Sequence, residues 1–159
     1  MDTNNKTDSY LTFKLGPESF AGHVKNVQNI LEYREVTKVP DTPSYLKGVI
    51  NLRGNVLPIV DLKEKLGMKL SPYTSNTCIL VLNIYMDEEI VSVGAIVDHV
   101  IQVKEITPQE VLPYPSISNK YKSDIIPGVF KVNGEFVMIL NLDKVFSNLE
   151  TSIFKEEKK

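Results

Sequence analysis

One short pattern occurs twice in this chain without gaps, and that duplication limits the fold more than any other feature. Gly48 to Leu66 reads GVINLRGNVLPIVDLKEKL, and Gly128 to Phe146 reads GVFKVNGEFVMILNLDKVF, at an offset of 80 residues. In each copy a mostly apolar run, a turn pair and a second apolar run predict a β-hairpin. Asp61 followed by Glu64 signals a helix start, and Gly67 is placed to stop that helix after about one turn. Asn141 stands where Asp61 does, and these two residue types serve best as helix caps. A weaker echo precedes each copy: Phe20 to Ile30 against Val93 to Val103, at an offset of 73. Together they predict two pseudo-equivalent β modules.

The remaining segments fit the same class. Tyr10 to Leu15 alternates apolar and polar and predicts a strand, Gly16 to Ser19 a turn, and Phe20 the start of the return strand. A single helical turn, a strand from Val27 to Tyr33 and a short strand over Glu35 to Val39 follow. Pro40-Asp41-Thr42-Pro43 forces a bend, and Ser44 to Lys47 reads as one helical turn. Met68 to Asn76 is a polar loop; Thr77 to Met86 and Ile90 to Val103 read as two long strands joined at Asp87-Glu88-Glu89. Ile106 to Ser123 reads as irregular apart from a turn at Gln109 to Leu112, and Leu142, Val145, Phe146 and Leu149 share one face of a closing helix. Many short strands with few short helices predict an all-β barrel architecture, and the duplication favours two small barrels over one large one. Residues 1–8 and 155–159 read as flexible tails.

Composition and residue placement argue against several classes of function. Net charge is −2 and the basic residues are scattered, which disfavours nucleic acid or an anionic membrane surface as partner. The nearest approach to an aromatic and basic nucleic-acid platform is Tyr114 and Tyr121 with Lys120 and Lys122. The longest apolar run, Cys78 to Met86, falls short of a membrane span, and the polar N-terminus lacks a secretion signal, so a cytoplasmic protein is expected. Cys78 lies in an aliphatic strand without a neighbouring base and reads as an inert core thiol. His23 and His99 belong to opposite modules and lack a third metal ligand. No glycine-rich phosphate cradle is present, and the paired carboxylates read as solvated charge. Catalysis, metal and cofactor are therefore not expected.

The repeat also supplies an internal control. At Asn133-Gly134 the second hairpin has the dipeptide that two-residue turns favour, because both positions take positive φ. The first hairpin has Arg53-Gly54 there, and arginine in that backbone costs on the order of 1 kcal/mol that asparagine avoids. Two readings stand level: a longer loop leaves an unstrained arginine merely exposed, or a planar cation is wanted at a protruding tip to grip a partner's carboxylate or carbonyls.

At these residues the chain resembles the CheW family of bacterial chemotaxis coupling proteins. Gly48 to Leu62, GVINLRGNVLPIVDL, carries the closest likeness, supported by Val36 to Pro40, Val93 to Val100 and Ile126 to Val129. The resemblance covers residues 10–149 and implies a single domain of two five-stranded, SH3-like barrels sharing a hydrophobic junction, leaving open whether strands are exchanged between them. It implies a scaffold, not an enzyme, that links the cytoplasmic tips of methyl-accepting chemoreceptors to the regulatory domain of the histidine kinase CheA. The same fold in a non-motility signalling array, or a nucleic-acid-binding barrel, are the alternatives. Arg53, Gly48, Val27 and Asn29 match family positions implicated in partner contacts. Asn29 is neutral where an acidic residue is common, and Gly22 stands where a larger apolar one is common.

Overall fold

The computed structural model describes residues 6–114 and 124–147. In chain order its strands are β1 (Asp8–Leu15), β2 (Glu18–His23), β3 (Val27–Glu32), β4 (Leu46–Leu52), β5 (Asn55–Asp61), β6 (Cys78–Met86), β7 (Glu89–Val97), β8 (His99–Ile106), β9 (Gly128–Val132) and β10 (Glu135–Leu140). Two short helices, α1 (Leu62–Lys65) and α2 (Leu142–Ser147), follow the two repeated hairpins. The strands form two five-stranded sheets in the orders β8-β1-β2-β10-β9 and β3-β6-β7-β5-β4. The expected all-β, paired-barrel architecture is the one observed.

Neither sheet is built from one repeat. The first half of the chain gives β1 and β2 to the first sheet and β3 to β5 to the second; the second half gives β6 and β7 to the second sheet and β8 to β10 to the first. Each sheet is joined across the halves by a parallel pair, β2 with β10 and β5 with β7. Those registers carry the weak echo seen in sequence. Ile59 faces Gly94 while Ile139 faces Ala21, so the 80-residue and 73-residue offsets hold in space. Even the irregularities repeat: β3 slips its pairing between Val27 and Asn29, and β8 slips between its partners of Thr12 and Phe13, leaving Gln28 and Ile101 as matched bulge residues.

Alternation along the strands sorts the side chains into three cores. Ile50, Leu57, Ile59, Ile79, Val81 and Ile96 fill the second barrel. Ala21, Ile106, Phe130, Val137 and Ile139 fill the first. The opposite faces, including Phe13, Phe20, Leu80 and Leu82, meet Leu62 of α1 and Phe146 of α2 in a larger shared core between the barrels. Hence β6, whose Ile79 and Val81 face one core while Leu80 and Leu82 face another, is apolar on both sides and reads as a continuous run.

Several expectations change in detail. The predicted strand Ile90 to Val103 is two strands, because the chain leaves the second sheet at Asp98 and enters the first. Alternation cannot reveal such a crossing, since both pieces stay extended. Glu35 to Val39 is not a strand; only Thr37 bridges to Val49. Ser44 to Lys47 is a turn closed by Leu46 N–H donating to the Pro43 carbonyl at 3.0 Å, with β4 already begun at Leu46. The expected N-terminal tail gives way at Asp8 to β1. Leu142, Val145 and Phe146 are buried along α2, as expected, while Leu149, the tail after it, and Tyr121, Lys120 and Lys122 lie outside the described residues; Tyr114 packs, partly buried, against the shared core.

Candidate docking site

Asp61 and Asn141 end the two hairpins in the same way. Asp61 Oδ1 accepts from the Glu64 N–H at 3.2 Å, and Asn141 Oδ1 accepts from the Lys144 N–H at 3.2 Å. Each thereby satisfies a free N–H at the start of its helix. Asp61 is nearly inaccessible and its second oxygen also accepts from the Tyr73 hydroxyl at 2.7 Å. Burial, with the Asp61 carboxylate beside it, pushes the Tyr73 phenol well above its ordinary range.

The glycine that opens each hairpin lies under a crossing segment. Thr37 and Val49 exchange two backbone hydrogen bonds of 2.9 and 2.8 Å, and Leu112 and Val129 exchange two of 2.8 Å. A Cβ on Gly48 would sit 2.2 Å from the Thr37 carbonyl oxygen, and Gly48 has φ +148°. Gly48 is buried and shaped by close backbone approach, and it anchors the hairpin that carries Arg53 at its tip.

The hairpin tips have the same backbone. Arg53 and Gly54 have φ +55° and +83°; Asn133 and Gly134 have +52° and +83°. The longer, unstrained loop is thus ruled out, and Arg53 is exposed in a left-handed conformation. Asn51 steadies this tip by accepting from the Gly54 N–H at 3.0 Å.

The other two expected positions lie on β3. Val27 is half-buried against the shared core, and Asn29, just past the bulge, accepts from the Ile30 N–H at 2.8 Å. β3 and β4 are opposite edges of the second sheet. The pseudo-symmetry shows how such edges meet. In the first barrel a cleft of about 260 Å³ is lined by residues that include Thr12, Gln102, Asn133 and Glu135. By the same offsets and strand pairings their counterparts in the second barrel are Val81, Asn29, Arg53 and Asn55. Sequence reasoning missed the exposed Ile30 and Val56 beside them, and their exposed counterparts Val103 and Phe136. Only the register, not the local pattern, identifies these outward aliphatics.

Gly22 has a local reason. A Cβ there would lie 2.7 Å from Leu142 Cδ1, so the leucine of α2 fills the space a larger residue would take. Cys78 is half-buried, donates weakly to the Asn76 carbonyl at 3.3 Å, and has its thiol pushed up chiefly by burial. His23 pairs with Asp8 at 3.1 Å and accepts from the Lys25 N–H at 3.0 Å, whereas His99 stands exposed at the far end of β1. The structure does not bring these groups together. No described helix is long and apolar enough to cross a membrane.

Two fused small barrels with an exposed, strained cationic tip define a duplicated β scaffold whose distinctive chemistry lies on its outer loops. Residues 9–150 match the family model for the CheW-like domain, and the chain belongs to that family. It is 31% identical over 144 residues to the chemotaxis protein CheW of Klebsiella aerogenes, covering 91% of this chain and 84% of that one. It is 32% identical over 140 residues to the chemotaxis protein CheW of Rhizobium meliloti, covering 88% of each. The crystal structure of the scaffolding protein TtCheW from Thermoanaerobacter tengcongensis superposes with a TM-score of 0.77 at 25% identity, over 89% of this chain and 93% of that one.

Proposed function

We propose that this protein is a non-catalytic cytoplasmic scaffold that couples methyl-accepting chemoreceptors to a CheA-type histidine kinase. Arg53 carries the reading. A fold that has asparagine at one tip and arginine at the matching, equally strained tip retains the costlier residue for what it meets outside the molecule. The guanidinium offers a planar five-donor fork, and the neighbouring Ile30 and Val56 offer apolar area for a partner's sheet or helix. Asn29 and Arg53 face the regulatory domain of the kinase, and Gly48 and Val27 fix the hairpin and strand that present them. The receptor's helical tip suits an aliphatic groove between the barrels. Membrane association then comes through the receptor, and no nucleic acid or cofactor takes part.

Purified chain mixed with a receptor cytoplasmic fragment and the kinase regulatory domain should give a ternary complex. Arg53→Glu should leave the circular dichroism and melting transition in place while weakening capture of the kinase domain. Undiminished capture of both partners by that variant would refute the assignment of Arg53.

A further inference from the structure

The crossing points between the barrels carry polar groups that the docking surface does not use, Lys63 and Asn26 buried and Asp98 and Asp143 partly so. Asp98 sits where the chain leaves β7 in the second sheet for β8 in the first. Its Oδ1 lies 2.9 Å from Lys63 Nζ, on the helix that follows β5. Its Oδ2 accepts from the Gly16 N–H, on the β1–β2 turn of the other sheet, at 2.6 Å. Lys63 is 2% exposed and also donates to Ser71 Oγ in the loop between the two halves. One carboxylate thus ties the helix of one sheet to the turn of the other.

The second half has a different latch at the matching place. Asp143, the counterpart of Lys63, accepts at Oδ1 from the Tyr85 N–H and from Asn26 Nδ2, both at 2.9 Å. Tyr85 corresponds to Gly16, and Asn26 precedes β3 at the other crossing. Both latches pin a strand or turn near a hairpin end, but only the first does so with a buried ammonium. Stability alone does not explain that lysine. Burying an ammonium carries a desolvation penalty comparable with the Coulombic gain of its pairing, and apolar residues of similar volume in place of both partners would avoid it. A buried pair does narrow the set of orientations in which its partners are satisfied.

We infer that Lys63 and Asp98 are positioning residues that hold the two barrels at one mutual angle, and so set where the two hairpin tips are presented. The consequence for assembly rests on the scaffold reading; the angle itself does not. Spin labels at Asn55→Cys and Glu135→Cys, in a Cys78→Ser background, report the distance between the tips without any partner. The parent should give a single narrow distance peak. Lys63→Met and Asp98→Asn should each lose that single peak, and each should also unfold at a lower urea concentration than the parent, because the remaining partner loses its counter-charge. Ile59→Val, inside one barrel, should lower the unfolding midpoint and keep the peak. A single narrow peak retained in both Lys63→Met and Asp98→Asn would overturn the inference. In the ternary mixture, Lys63→Met should still capture the kinase domain but lose joint capture of the receptor fragment. A parent chain that captured neither partner would refute the scaffold reading and leave the distance result standing.

Discussion

The two repeated hairpins share a turn geometry, a glycine under a crossing segment and a capped helix, yet differ in what occupies each place. One has Arg53, an inaccessible Asp61 cap and a glycine at positive φ; the other has Asn133, Asn141 and a glycine without positive φ. Shared backbone with divergent side chains separates what the fold requires from what one face alone requires. The glycines and caps belong to the fold. Arg53 does not.

Gly48 should be the most sensitive point of the comparison. Its Cβ would collide with backbone at 2.2 Å, whereas the closest contact of a Cβ on Gly128 is Val111 Cγ1 at 2.6 Å, with the Leu112 carbonyl at 2.9 Å. A side-chain methyl can swing aside more readily than a paired carbonyl, and Gly128 lacks the additional φ strain. Gly48→Ala is expected to cost about 3 kcal/mol or more and Gly128→Ala roughly 1–2 kcal/mol, read from urea unfolding. Equal losses would mean that the two crossings are equally compliant.

The caps come next. Asp61→Ala removes an N-cap and also leaves the half-buried Tyr73 hydroxyl without its carboxylate partner. Asn141→Ala removes the cap, while Asn141 N–H still reaches the Ile125 carbonyl at 2.8 Å. Losses of about 2–3 kcal/mol at Asp61 and about 1 kcal/mol at Asn141 are expected. Tyr73→Phe should recover most of the difference when combined with Asp61→Ala, which a double-mutant cycle would measure.

These contrasts also show what could be read without coordinates. The hairpins, their helices and the two modules were legible because turn pairs, caps and alternation are local signals. The weak echo ending near Val103 was legible for the same reason, but its meaning was not. Asp98 divides a continuous β-branched run between two sheets, and no local propensity registers that change. Arg53 stood out because its repeat partner was present as a control. Ile30 and Val56 did not, since an outward aliphatic looks like a core residue until the register assigns its face. The burial of Lys63 has no local sequence signal and follows from the packing of α1 against the Asp98 crossing.

The smallest effect is the one that bears most directly on function. If the fold alone governed the tips, exchanging their residues would matter little beyond turn strain. Arg53→Asn should stabilise the chain by about 0.5–1 kcal/mol, because asparagine tolerates a left-handed backbone that arginine does not, and Asn133→Arg should destabilise it by a similar amount. Arg53 is exposed and makes no hydrogen bond or ion pair within the described residues that would offset that strain. The stabilised Arg53→Asn variant should nevertheless bind the kinase domain less tightly, while the destabilised Asn133→Arg variant keeps its affinity. Stability and binding moving in opposite directions at one residue would separate a retained functional cost from a tolerated imperfection. A variant that gained stability and kept full affinity would show that the arginine is merely tolerated.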